Sequence, residues 1–234
     1  MAQLEAWLRR ALWDVVPRDQ QDSARGLRRR QVVTVGFVVL GAVVLGLSLR
    51  LEPGSRWFYP AVLGLAGVWT VGAFASGPLH LGRIPFRERD SRPVFTPILL
   101  GLFLAGVFVA GAFLVRTLSF LDGLEGQVVS VIDYADEGSV PLLAAITVLN
   151  GIAEELFFRG AAYAAIPRHP VLWTTVAYAV ATLATGNVML SFAAVLLGLV
   201  VGLERRASGG ILGPILTHCA WSLTMLLALP LVFF

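Results

Sequence analysis

The sequence predicts an all-α fold, a polytopic transmembrane helical bundle of about seven spans with the N-terminus inside and an N-terminal interfacial amphipathic helix. Of the 234 residues, 57% are hydrophobic and 14% are charged, and the mean hydropathy is +0.78. Soluble domains carry about a quarter charged residues. Several apolar runs reach about twenty residues, which is the length that crosses a bilayer as a helix.

The distribution of basic residues predicts the orientation. All 18 are arginines, and with the N-terminus inside only Arg50, Arg56 and Arg116 fall on the outer side. This agrees with the positive-inside rule. The rule also explains the net charge of +3, so we expect the lipid bilayer and no nucleic acid as a partner. The single cysteine, Cys219, excludes an intrachain disulfide.

The chain divides into three parts. Residues 1–30 are predicted to form a cytoplasmic amphipathic segment, because apolar residues share one face of a helix at the membrane surface. Residues 31–94 hold the N-terminal transmembrane spans, over about 31–49 and 57–78. Residues 95–234 hold the remaining spans.

The third part begins with a span over about 94–115 and a connection, 117–138, whose apolar spacing predicts a second interfacial helix. Single spans follow over about 139–166 and 211–233. Two spans share residues 171–204, which reach about 51 Å as helix. This is less than two crossings of a hydrocarbon core of about 30 Å. We therefore expect the turn at Thr185-Gly186-Asn187 below the membrane surface, where irregular backbone is tolerated only when it is buried or lines a cavity.

The fourth span contains the most informative stretch, Asn150-Gly-Ile-Ala-Glu-Glu-Leu-Phe-Phe-Arg-Gly160. A charge at membrane depth costs about 2.5–3.5 kcal/mol, so three in one span indicate a function. Glu155 precedes Arg159 by four residues, the favourable order for an ion pair on a helix. Glu154 has no basic partner at helical spacing, which leaves its carboxylate available as a general base for water.

Few other polar side chains fall inside the spans. At a rise of 1.5 Å per residue, Asn187 and His218 lie at a depth similar to that of Glu154, so the three side chains could meet. Asn187, His218 and Ser222, which follows His218 by four residues in the same span, also have structural explanations. Asn187 suits a turn, His218 could be a satisfied core histidine, and Ser222 could bond its own backbone.

Glu154-Glu155-x-x-x-Arg159 on a transmembrane helix, followed about sixty residues later by His218, resembles the CPBP family. This family comprises the CAAX-processing and bacteriocin-processing intramembrane proteases, also called Abi or Rce1-like. The resemblance covers about 95–230, with its signature region at 150–222. Two family motifs, Phe-x-x-x-His and His-x-x-x-Asn/Asp, differ here, because Asn187 replaces a histidine and Ser222 replaces the usual asparagine.

The resemblance implies that Glu154 activates the attacking water, with Glu155 and Arg159 supporting it. His218, helped by Asn187 and Ser222, would polarise the scissile carbonyl or hold its oxyanion. Catalytic zinc usually takes three protein ligands, and these residues make a poor zinc site. If zinc is bound, Glu154 and His218 are its expected ligands.

We therefore expect a multi-pass intramembrane endopeptidase of a bacterial plasma membrane that cleaves a peptide or membrane-protein segment from the cytoplasmic side. The missing histidine motivates an alternative, a catalytically impaired family member that acts as a membrane scaffold or regulator. A third hypothesis is a transporter or proton path that uses the intramembrane acids, although the sequence contains no convincing inverted repeat. The sequence makes no prediction of the oligomeric state.

Overall fold

The computed structural model describes residues 2–16, 22–52, 54–79, 95–136 and 139–234, and the regular elements within these ranges are all helical. A π-helical turn, Arg9–Trp13, continues the first helix, and a short 3-10 turn, Ser119–Leu121, precedes the fifth. The helices are α1 (Ala2–Leu8), α2 (Ala24–Ser48), α3 (Phe58–Ser76), α4 (Phe95–Thr117), α5 (Asp122–Asp136), α6 (Val140–Ala165), α7 (Pro170–Leu183), α8 (Val188–Ser208) and α9 (Leu212–Phe233).

In the described parts of the chain, six helices are long and apolar enough to cross a membrane: α2, α3, α4, α6, α8 and α9. The seventh predicted span corresponds to α7, which has only 14 residues and rises about 21 Å. The all-α multi-pass fold is therefore confirmed, and the span count is met by six full helices and one short one. The connection after α4 contains the predicted helix, α5, which packs against α4, α8 and α9.

The first membrane helix begins earlier than the predicted start at residue 31. Ser23 caps α2 by accepting a hydrogen bond from the Gly26 backbone N–H at 3.2 Å, and arginines are good helix formers. Arg30 is consequently buried, where it pairs with Asp22 at 2.8 Å and donates to the Pro78 carbonyl at 3.2 Å. The predicted arginine-rich loop, 79–93, lies almost entirely outside the described residues.

The core around the site is aromatic. The Trp69 ring of α3 lies 4.8 Å from the Phe157 ring and 5.0 Å from the Phe158 ring, both on α6. On its other side the ring lies against Gly41 of α2, where a Cβ atom would come within 2.0 Å of it. The absent side chain thus lets α2 close over Trp69, and the indole of α3 is held between α2 and α6.

Candidate active site

The ion pair predicted within α6 is present and fully buried. Arg159 Nη1 donates to Glu155 Oε1 at 3.0 Å, and neither side chain is exposed. Arg159 Nη2 donates to the Gly198 carbonyl of α8 at 3.2 Å. Arg159 lies in a π-helical segment, Leu156–Ala162, a wider turn that often occurs at functional sites. The pair therefore fixes α6 to α8 as well as neutralising one carboxylate.

His218 of α9 is oriented by the same carboxylate. Its Nδ1 lies 2.8 Å from Glu155 Oε1, and because an ionised carboxylate can only accept hydrogen bonds, Nδ1 is the donor whenever Glu155 is ionised. The other ring nitrogen, Nε2, lies 3.9 Å from Glu154 Oε2. The structure thus turns the free nitrogen of His218 toward the carboxylate that has no paired arginine.

Glu154 has a second partner, which sequence reasoning missed. The Tyr178 hydroxyl of α7 donates to Glu154 Oε2 at 2.5 Å. Tyr178 also stacks its ring 5.2 Å from the Arg159 guanidinium carbon. The available signal was a tyrosine in the middle of an apolar helix, away from the interfacial positions that tyrosine prefers in membranes. A hydropathy count hides this signal because it groups tyrosine with apolar residues.

A cavity of about 160 Å³ lies beside Glu154 and Tyr178. This is room for several water molecules at about 30 Å³ each. Most of its lining is apolar, and its other polar contributors are Trp69, Thr182 and Trp221, with Thr185 at the α7 end. The carboxylate that faces His218 is therefore also accessible from a space that can hold a water or a peptide group.

Asn187 serves the backbone of the α7–α8 turn. Its Oδ1 accepts from the Leu190 backbone N–H at 3.0 Å, which caps α8, and its Nδ2 donates to the Gln127 carbonyl at 2.8 Å. Among the described residues, no hydrogen bond joins Asn187 to Glu154 or His218. Its predicted contribution to an oxyanion site stays a prediction.

Ser222 lies one turn beyond His218 on α9 and is half-buried. Its hydroxyl forms no hydrogen bond with any residue in the described ranges. The structure therefore brings together Glu154, Glu155, Arg159 and His218. The help that Ser222 and Asn187 are expected to give His218 at the scissile carbonyl stays a prediction.

Gln127 is a second residue that sequence reasoning missed. Its Oε1 accepts from the backbone N–H groups of Val188 and Met189, at 2.8 and 3.2 Å. These groups begin α8, two residues after Gly186, whose φ of +77° favours a residue without a side chain. The signal was an uncharged amide in an otherwise acidic connection. The turn predicted to lie below the membrane surface thus has its backbone donors satisfied from α5.

The residues do not fit a resident zinc ion. Within the described parts of the chain, no group of three or more His, Cys, Asp or Glu side chains is arranged to hold a metal. Glu155 is occupied by Arg159 and His218 Nδ1, which leaves Glu154 and His218 Nε2 as two ligands where catalytic zinc usually takes three. We derive no step through a metal.

Comparison with protein families gives one match. Residues 136–224 match the family described as type II CAAX prenyl endopeptidase Rce1-like. The resemblance to the CPBP family is confirmed over this segment, which contains all six predicted site residues. Comparisons with curated proteins and with solved structures gave no match. This similarity supports a CAAX-protease-type family of membrane endopeptidases.

Proposed function

We propose that the protein is an intramembrane endopeptidase that hydrolyses a peptide bond with a water molecule activated by Glu154. The observation that carries the proposal is the pairing of Glu154 Oε2 with His218 Nε2 across 3.9 Å, beside a cavity inside a membrane bundle. A water molecule to one side of the line that joins these two atoms can lie about 2.8 Å from each and hydrogen bond to both. Such a water lies where a carbonyl carbon in the cavity can be attacked.

In the first step, the Glu154 carboxylate removes a proton from the water as its oxygen bonds to the carbonyl carbon. General-base catalysis of this kind contributes about 10²- to 10⁴-fold in rate. The Tyr178 hydroxyl, at 2.5 Å, holds the carboxylate in one orientation while the other lone pairs face the water. In the second step the C–N bond breaks, and the protonated Glu154 returns the proton to the leaving amine.

His218 would stabilise the oxyanion that forms in the first step. With both ring nitrogens protonated, Nδ1 donates to Glu155 and Nε2 donates to the developing negative oxygen. Arg159 pairs with Glu155 and holds it in place.

The proposed substrate is a peptide or a membrane-protein segment that enters the bundle from the bilayer. The support for it is the mostly apolar cavity lining, which favours apolar side chains, and the match to a membrane endopeptidase family. The proposed location is a bacterial plasma membrane, as the sequence predicts.

The test compares new peptide N-termini, measured by mass spectrometry, in membranes that contain the wild type, Glu154→Gln or His218→Ala. We expect new termini in the wild type, and we expect their abundance to be at least about 10²-fold lower in both variants. Glu52→Gln is the matched control, because Glu52 is exposed and should retain all of them. Identical termini from the wild type and Glu154→Gln would falsify the proposal.

One observation favours a second candidate function, a membrane scaffold without hydrolysis. Asn187 occupies the position of a family histidine, and both its polar atoms are used by the α7–α8 turn. The scaffold hypothesis predicts that the wild type and Glu154→Gln give the same termini, so the same experiment separates the two functions.

A further inference from the structure

Two buried indole groups in the cavity have no hydrogen-bond acceptor. Trp69 on α3 is 1% exposed, Trp221 lies on α9, and the Nε1 atoms of both are buried without a partner among the described residues. Both side chains line the cavity that Glu154 and Tyr178 also line. A buried donor left unsatisfied costs about 1–3 kcal/mol, so two at one cavity indicate that a ligand supplies the acceptors.

Packing fixes both indoles. Trp221 lies edge-on to Phe108 with ring centroids 5.2 Å apart, and its ring centroid is 6.2 Å from that of His218. Trp69 is held between Gly41 and the two phenylalanines of α6 described above. A donor that cannot reorient is suited to recognising an acceptor at one position, because no ordering of the side chain is needed on binding.

The donors also define the chemistry of the ligand. An indole N–H can only donate, and the remaining lining is mostly apolar. The ligand must therefore present acceptor oxygens on an apolar body. A membrane peptide segment does this, because carbonyl groups released from its own helix need new donors when no bulk water is present.

We propose that Trp221 and Trp69 donate hydrogen bonds to backbone carbonyl oxygens of the bound peptide. Trp221, next to His218, binds the carbonyl of the scissile bond, and Trp69 binds a neighbouring peptide group. The inference rests on the proposed function and identifies what holds the substrate. It also adds two donors beside Asn187, both of whose polar atoms have partners in the turn.

The first experiment needs no hydrolysis. The full-length protein, with ¹⁵N-labelled indoles in lipid nanodiscs, is titrated with N-methylacetamide, which carries a single peptide group. Six indole signals are expected, and Trp69→Phe and Trp221→Phe assign two of them. We expect saturable shifts at Trp69 and Trp221 only. The exposed Trp57 and Trp173 are internal controls, and if Trp69 and Trp221 shift no more than these two, the proposal is overturned.

The second experiment measures kcat and KM for one peptide bond whose new terminus depends on Glu154. Trp221→Phe keeps an aromatic ring but removes the N–H, and we expect kcat to fall about 10²-fold, as for loss of one oxyanion donor. Trp69→Phe should raise KM about 2- to 12-fold, the value of one neutral hydrogen bond. The matched control is Trp173→Phe, which should change neither. Wild-type kcat and KM in both folded variants overturn the proposal.

The two experiments separate failure of the donors from failure of the function. If hydrolysis depends on Glu154 but the indole signals do not shift, the proposal for the two donors is wrong and the proposed function stands. If the indole signals shift but no hydrolysis depends on Glu154, the donors stand and the proposed function is wrong. If a tryptophan variant does not fold, the titration of the wild type still decides, with the signals assigned by the remaining variants.

Discussion

The cluster around Glu154 and His218 and the turn around Asn187 are two of the regions where the bundle buries polar groups, and the partners of those groups differ between the two. In the turn, Asn187 and Gln127 satisfy backbone groups of α8 and one another. In the cluster, the partners are other side chains, and Glu155 Oε2 is buried without one. Polar atoms consumed by the backbone stabilise an irregular element, whereas polar atoms directed at one another around a cavity remain available for chemistry.

The largest effect on stability should follow from breaking the cluster. Arg159→Met leaves the Glu155 charge buried without its guanidinium and removes a donor from the Gly198 carbonyl, which we expect to lower the free energy of unfolding by about 3–5 kcal/mol. Denaturant titration in micelles measures this. Arg50→Met is the matched control, because Arg50 is exposed. If the two variants lose the same free energy of unfolding, the buried position of Arg159 does not make it more important for stability than the exposed Arg50.

A smaller effect is expected at the turn. Gln127→Leu removes the acceptor for the Val188 and Met189 N–H groups, and we expect a loss of about 1–3 kcal/mol together with faster hydrogen exchange at these two amides. Asp133→Asn on the exposed side of α5 is the control and should change neither. Hydrolysis by folded Gln127→Leu should match the wild type, and a large fall in kcat would show that the turn and the cluster are one functional unit.

The smallest effect separates the two possible roles of Asn187. Asn187→Ala removes the cap of α8, and we expect a loss of about 0.5–2 kcal/mol with kcat unchanged. Asn187→Ser keeps a capping oxygen and should recover most of the stability. If Asn187→Ala instead lowers kcat as strongly as Glu154→Gln, Asn187 belongs to the active site, and the comparison between the two regions no longer holds.

The parts of the site that the sequence could predict are local. The Glu155–Arg159 pair follows from four-residue spacing on one helix, and the short α7 follows from the number of residues available for two spans. Hydropathy likewise gives the spans to within a few residues, except where Ser23 starts α2 early. These predictions depend only on neighbours in the chain.

The parts that the sequence could not predict depend on how helices face one another. A depth calculation gives the level of Asn187 in the bilayer but not the direction of its side chain, and its partner Gln127 is 60 residues away. The contact of Tyr178 with Glu154 and the position of Trp221 require the packing of α6, α7 and α9. Composition also groups these aromatic residues with the core, although both line the cavity.

A continuous series of hydrogen bonds joins three helices at the site. It runs from the Gly198 carbonyl on α8 through Arg159 and Glu155 on α6 to His218 on α9, with contacts of 3.2, 3.0 and 2.8 Å. The spacing and tilt of such helices respond to bilayer thickness, so the direction of the imidazole responds to it as well. We therefore expect the rate of the proposed hydrolysis to depend on the acyl-chain length of the surrounding lipid.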